Sequence, residues 1–135
     1  MGNIISFQQE LRCSLHGTDD GTSVYWDIPS GHKLVIKFIT GHISTKGPAD
    51  NIGEAYIVAT NTAGIPEYLF IDFPSPRPWR YGGTASGFIT IFNKEVLFYA
   101  YDTGGPDDVA LYCNRTTRQQ TVDYVVTLVG YLESI

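Results

Sequence analysis

The chain has 135 residues, of which 43% are hydrophobic and 17% charged, so it has the size of one domain and enough apolar material for one core. Nine basic and 14 acidic residues give a net charge of −5, and this acidic balance excludes nucleic-acid binding, which depends on a basic surface. No run of about 18 apolar residues occurs, so no membrane span is predicted.

The predicted elements, in chain order, are short strands separated by turn-forming residues. Pro29-Ser30-Gly31 predicts a tight turn, since proline fixes one torsion and glycine tolerates a positive φ. In the segment that follows, residues alternate with a period of two, which predicts one buried face made of Leu34, Ile36 and Phe38. In full, strands are predicted over residues 4–13, 24–28, 33–38, 55–59, 68–73, 87–92, 96–101, 109–113 and 121–133.

The regular spacing of strands and turns along the whole chain indicates the fold class. No linker, repeat or low-complexity tract interrupts it, so residues 1–135 are predicted to form a single domain. Eight to ten short strands in one domain are typical of an all-β, two-sheet β-sandwich of jelly-roll or Greek-key type. We therefore expect this architecture.

The last predicted strand is apolar on both faces. One face carries Val122, Tyr124, Val126, Leu128 and Leu132, and the other carries Val125, Val129 and Tyr131 together with Asp123 and Thr127. In a two-layer sandwich the outer face normally meets water, so apolar residues on both faces indicate a covered outer face. We predict a homo-oligomer whose interface contains Val125, Val129 and Tyr131. Cover by a loop, or an ordinary apolar surface, is the alternative.

Two segments resemble parts of one group of proteins. The first, residues 24–36, ends in Pro29-Ser30-Gly31-His32-Lys33-Leu34-Val35-Ile36, and the second, residues 126–132, ends in Gly130-Tyr131-Leu132. Both resemble segments of small uncharacterised bacterial β-sandwich proteins, which share a Pro-x-Gly turn before a Leu-Val-Ile strand and a closing Gly-Tyr-Leu strand. The resemblance covers the two ends of the domain. It implies the fold and no activity.

The cysteines and the N-terminus give information about the compartment. Cys13 and Cys113 are 100 residues apart, and either two reduced buried thiols or a disulfide between an early and a late strand is compatible with that spacing. No signal peptide is visible at the N-terminus, which favours the cytoplasm, although the first six residues fit an acylation pattern. The sequence leaves both questions open.

No metal or catalytic motif is present. His16, His32 and His42 each stand alone beside a glycine, without the H-x-H spacing of a cupin-like metal site, so neither a transition metal nor another cofactor is predicted. Residues 102–108 crowd three aspartates into a turn, where calcium is the one conceivable ion. Residues 83–87 resemble a nucleophile elbow, but the serine is one position too late.

The segment 74–83 is the most unusual stretch, because three prolines and two arginines are interleaved with aromatic residues. Proline cannot donate to a sheet ladder, so the segment is predicted to be a stiff extended loop. Rings and guanidinium groups together suit a sugar face or a protein partner. The alternative is a loop folded over one end of the sandwich. The predicted ligand-binding residues, on this loop and on the aspartate turn, are Arg77, Trp79, Arg80, Tyr81, Asp102, Asp107 and Asp108.

Three functions are compatible with the sequence. The first is a non-catalytic, oligomeric binding or assembly module whose loops, at residues 74–83 and 102–108, recognise a carbohydrate or a protein. The second is a self-assembling structural subunit of capsid, tail or appendage type. The third is a small enzyme with a pocket inside the sandwich. The fold alone does not choose between them.

Overall fold

The structure is a computed structural model that describes residues 4–15, 21–45, 52–60, 65–72, 77–81, 84–102, 108–115 and 121–135. These residues form strands and connections and contain no helix, which confirms the all-β prediction. The described residues accordingly include no helix long and apolar enough to cross a membrane. The strands are β1 (Ile4–Leu15), β2 (Gly21–Trp26), β3 (His32–Thr45), β4 (Ile52–Thr60), β5 (Pro66–Phe70), β6 (Arg77–Tyr81), β7 (Thr84–Tyr101), β8 (Val109–Arg115) and β9 (Val122–Ser134).

The strands form two antiparallel sheets whose order is that of a jelly roll. Sheet A has the order β1-β9-β3-β7-β6, and sheet B has the order β2-β8-β4-β5. The pairs are nested, because β1 pairs with β9, β2 with β8, β3 with β7 and β4 with β5. Strand β6 adds a short edge beside the first part of β7. The two-sheet sandwich predicted from the strand count is confirmed.

The core lies between the two sheets and is built from alternate residues of each strand. Side chains of β9 that point inward are almost inaccessible, and they meet those of β8 and β4 from the other sheet. Burial of this apolar layer contributes the dominant favourable free energy of folding. The largest fully buried side chains include Leu15, Leu34, Ile36, Ile43, Ile57, Leu111, Tyr124 and Leu128.

The turn before β3 has the geometry that its sequence indicates. The amide of His32 donates to the carbonyl of Pro29 over 3.2 Å, which closes a four-residue turn. Gly31 has a φ of 77°, a conformation that a side chain would strain. The carbonyl of Gly31 also accepts a hydrogen bond from the amide of Ile135 over 2.9 Å, so this turn is tied to the end of β9.

A β-bulge in β3 reverses which face of sheet A the side chains after the bulge point to. Ile36 pairs with Gly130 and Phe38 pairs with Val129, so Lys37 is an extra residue without a partner on β9. Ile36 is therefore in the core whereas Phe38 points to the outer face of sheet A. The predicted common face of Leu34, Ile36 and Phe38 is wrong for Phe38, because one added residue reverses the alternation.

Candidate functional site

The segment predicted to be a loop contains a strand. Residues 77–81 form β6, at the edge of sheet A, where they pair with the start of β7. Pro78 is compatible with this position because an edge strand needs hydrogen bonds on one side only. Residues 74–76 and 82–83 lie outside the described residues. The predicted ligand-binding residues of this segment, whose backbone the structure places on β6, are Arg77, Trp79, Arg80 and Tyr81.

Of the three aspartates predicted to share a turn, the structure describes two, and these are in different surroundings. Asp102 is half-buried just after β7, and Asp107 lies outside the described residues. Asp108 is only 1% exposed, and its carboxylate accepts a hydrogen bond from the amide of Ile28 over 2.8 Å. This bond holds the chain entering the turn before β3 against the start of β8. The carboxylate of Asp108 is thereby occupied inside the protein.

The histidines and acidic residues that the structure describes do not converge. His42 is half-buried on the outer face of β3, and the ring of His32 lies 3.0 Å from the carbonyl of Ser30. His16 lies outside the described residues. In the part of the chain that the structure describes, no three His, Cys, Asp or Glu side chains form a group that could hold a metal ion.

Apolar side chains form a patch on the outer face of sheet A, across β9, β3 and β7, in two parts that are separated by the polar row of Thr127, Thr40 and Asn93. Ile91 is 67% exposed and Leu97 is 59% exposed, while the members on β9 and β3 are more shielded by their neighbours. Val125, Val129 and Tyr131 lie on this outer face, as the alternation along β9 predicts. The residues of this A patch are Val35, Phe38, Ile91, Leu97, Tyr99, Val125, Val129 and Tyr131.

The register of the three strands joins the larger part of the A patch, which is centred on Val35, whereas Val125 and Ile91 lie beyond the polar row, on either side of His42. Val35 is flanked by Tyr131 on one side and Tyr99 on the other, and Phe38 pairs with Val129. Val35 is only 1% exposed although it does not belong to the core between the sheets. Its neighbours therefore already exclude water from the middle of the outer face.

Charged groups of both signs lie around the A patch. Lys33 and Glu133 form an ion pair of 3.4 Å at one end, and the Lys33 ammonium lies 5.8 Å from the centre of the Tyr99 ring. Lys37, on the bulge, and Glu95, on β7, are both exposed. Within the described residues neither of these two forms an ion pair. The face thus presents a cation and an anion next to its apolar centre.

A second exposed surface, on the outer face of sheet B, is aromatic. The ring of Tyr56 lies 4.9 Å from that of Tyr112, 5.2 Å from that of Phe70 and 5.5 Å from that of Tyr68. These four residues are called the B patch. Tyr68 and Phe70, on the edge strand β5, expose about half of their surface. Desolvation, followed by the charges of Tyr112, Tyr68 and Glu54, raises the pKa of the Tyr56 hydroxyl above its ordinary value.

The B patch is a feature that the sequence pattern does not predict. Its residues come from β4, β5 and β8, more than 50 positions apart at the extremes, and each stands among apolar neighbours typical of a core. Period-two alternation assigns Tyr56, Tyr68 and Tyr112 each to one face of its own strand. It does not show that these three faces lie on the same side of the sandwich.

Comparison with known proteins adds little to this description. No family model matches the chain, and no curated protein matches it. A chain of the Bacillus endospore appendages, a family of disulfide-linked pili, is 14% identical with a TM-score of 0.37, over 100% of this chain and 91% of that chain. The BFDV capsid protein, which forms a 60-mer, is 12% identical with a TM-score of 0.32, over 98% of this chain and 94% of that chain. Similarities this weak carry no argument about function.

Proposed function

We propose that this chain is a non-catalytic structural subunit that assembles with copies of itself, and that the A patch is its first contact surface. The supporting observation is the apolar group centred on Val35, with Tyr131, Tyr99, Phe38 and Val129 around it, on the outer face of the central strands of sheet A. An antiparallel sheet that faces water on one side normally carries polar residues there. Apolar side chains on an outer face of this kind indicate a site of contact with another molecule.

The size of the face suits a second copy of the chain. Five strands spaced about 4.8 Å apart and about 12 residues long at 3.3 Å each give the whole outer face of sheet A, the A patch and its polar borders together, an area on the order of 800 Å². A stable protein interface buries about 800 Å² on each partner. Two such sheets pack face to face at a separation of about 10 Å, as the two layers of a sandwich do.

The charges of the face also suit a copy of itself. The chain has a net charge of −5, so two copies repel each other unless the surfaces that meet carry local compensation. Lys37 and Glu95 supply it, because a two-fold contact sets the same surface against itself and can bring Lys37 of each copy to Glu95 of the other. An ion pair at the border of an interface adds orientation and association rate more than affinity.

A second contact distinguishes a structural subunit from a simple dimer. A two-fold contact uses up the A patch in both copies and ends at two chains. The B patch lies on the opposite side of the sandwich, so it stays available in such a dimer. Tyrosine and phenylalanine are enriched at protein interfaces, and this surface extends the assembly beyond two copies.

Recognition of a carbohydrate or a protein by the loops is less well supported. The residues predicted for it on segment 74–83 belong in part to strand β6, and Asp108 is buried. A small enzyme needs converging catalytic side chains, and among the described residues no three His, Cys, Asp or Glu side chains come together. The A patch and the B patch, on the outer faces of the two sheets, give more support to self-assembly.

The proposal is tested with two matched substitutions and sedimentation of the full chain. Ile91→Glu places a charge in the A patch, whereas Ile65→Glu makes the same change at a site of similar exposure (57%) beside β5. Wild type and Ile65→Glu are expected to associate at micromolar concentration. Ile91→Glu is expected to weaken the first contact at least tenfold, because association would bury an unpaired carboxylate.

A third variant tests the second contact. Tyr68→Glu leaves the A patch unchanged, so it is expected to form dimers and no larger species. A wild type that stays monomeric at about 100 μM, where contacts of this size associate, would contradict the proposal, and so would equal effects of Ile91→Glu and Ile65→Glu. Larger assemblies that persist in Tyr68→Glu would contradict the role of the B patch and leave the role of the A patch unaffected.

A further inference from the structure

The two cysteines meet inside the sandwich although they belong to different sheets. Cys13 lies on β1, in sheet A, and Cys113 lies on β8, in sheet B. Both side chains point into the core, with exposures of 5% and 0%, and both are free thiols. The Cys13 sulfur lies 4.0 Å from the carbonyl oxygen of Thr22, the residue that pairs with Cys113 across β2 and β8. Both cysteines belong to the same buried core cluster.

A neighbouring contact holds the two sheets together at this level. Cys13 pairs with Tyr124 of β9, and the Tyr124 hydroxyl donates to the carbonyl of Asn114 over 2.5 Å. Asn114 follows Cys113 directly. The contacts from Cys13 to Thr22 and from Tyr124 to Asn114 therefore hold the two cysteines at the same level of the core, by packing that does not depend on a bond between the sulfurs.

We propose that Cys13 and Cys113 are a modification site, at which a low-molecular-weight disulfide oxidises the two thiols to an intrachain bridge between the sheets. This inference is independent of the assembly proposed above. The bridge would join an early strand to a late one and close a loop of about 100 residues, which is the arrangement in which a cross-link restricts the unfolded chain most.

Cys13 is the thiol that reacts first. It lies on an edge strand, beside β2, which is the edge strand of the other sheet, and it is the more accessible of the pair. The hydrogen bond from Cys113 lowers the pKa of the Cys13 thiol, against the opposing effect of burial. The same hydrogen bond and burial raise the pKa of the Cys113 thiol. The thiolate is the nucleophilic form, so the first attack falls to Cys13.

The reaction is two successive thiol–disulfide exchanges. The Cys13 thiolate attacks one sulfur of the reagent RSSR, which forms a mixed disulfide at Cys13 and releases RS⁻. Cys113 then loses its proton and attacks the Cys13 sulfur, which forms the bridge and releases the second RS⁻. In total, the two protein thiols are oxidised, and RSSR is reduced to two RSH that carry away the two thiol protons.

The test treats the folded full chain with oxidised glutathione and measures its intact mass under denaturing, non-reducing conditions. The expected result is a monomer lighter by two hydrogen atoms, a fall in titratable thiols from two to none, and a peptide map that links Cys13 to Cys113. Closing a loop of this length is expected to raise the Tm by about 10 °C.

Two variants separate the steps. Cys113→Ala is expected to stop at the mixed disulfide and gain one glutathione on Cys13, whereas Cys13→Ala is expected to stay unmodified while folded. The wild-type mass decides the question even if a variant does not fold. Two thiols that remain unreacted in the folded chain while the denatured chain oxidises would overturn the proposal, as would a disulfide that joins two chains.

Discussion

Gly130 shows how a single residue sets the distance between two strands. It lies opposite the bulge of β3, and a Cβ atom at this position would come 1.8 Å from the carbonyl oxygen of Val35. A contact with backbone cannot be relieved by a rotamer change, so any side chain here must push β9 away from β3. The glycine is required by close approach and not by its backbone torsions.

A comparison of two glycines tests this point. Gly130→Ala is expected to reduce the free energy of unfolding by about 3 kcal/mol or more, at the upper end of overpacking. Gly31→Ala meets no atom within 4 Å, so only the positive φ opposes it, at about 1–2 kcal/mol. Urea unfolding of both variants measures the two costs. Equal losses would show that β9 and β3 have room to separate at Gly130.

At the residue scale, the sequence predicts side-chain directions and turn conformations, because both depend on residues that are close together in the chain. The outward facing of Val125, Val129 and Tyr131 follows from alternation along β9, and the positive φ of Gly31 follows from the turn. The position of Asp108 could not be predicted, because its carboxylate is bonded to the amide of Ile28, 80 residues earlier. A sequence shows that a carboxylate stands in a turn but not which distant amide satisfies it.

At the scale of elements, the bulge in β3 places a charge beside the A patch. Lys37 has no partner on β9 and is exposed next to Phe38, whose partner on β7 is Glu95. A two-fold contact between A patches would therefore contain two Lys37–Glu95 pairs. Their contribution can be measured by reversing the charges one at a time and then together.

The charge reversal has a defined outcome. Lys37→Glu and Glu95→Lys are each expected to raise the dissociation constant of the dimer about tenfold, because like charges then face each other. The double variant is expected to return close to the wild-type value, and added salt should reduce the differences. Glu67→Lys, an equal charge change in sheet B, serves as the control. If the double variant loses as much binding free energy as the two single variants together, Lys37 and Glu95 do not meet in the dimer.

The strand boundaries predicted from the sequence differ from those of the structure at β7 and at β6. The sequence pattern predicts that the polar residues 93–95 separate two strands, but β7 runs through them as one strand of 18 residues. The polar residues 93–95 are tolerated because β6 pairs only with the first part of β7. At residues 93–95, β7 therefore has a described partner strand on one side only. Likewise, Pro78 favours a loop where the chain has an edge strand. Both differences occur at the edge of a sheet, where the sequence preferences of strands are weakest.

For the whole molecule, the class of fold could be predicted and the pairing of strands could not. Strand number, turn spacing and length indicate a sandwich, because these features are local. Which strand lies beside which depends on partners far apart in sequence, as for Ile4 and Glu133, which pair at the ends of β1 and β9. The A patch and the B patch follow from that pairing, and so only part of the first could be recognised beforehand.

The nested pairing of strands also bears on how the protein is made. On the ribosome, β1 emerges more than a hundred residues before β9, so at about 5–20 residues per second it waits roughly 5–20 s for its only neighbour in sheet A. Throughout that interval the backbone groups of β1 lack their native ladder partner, although its side chains can already contact β2, as Phe7 contacts Trp26. Sheet A is complete only when β9 is inserted between β1 and β3, so until then the nascent chain presents unpaired strand edges that favour aggregation.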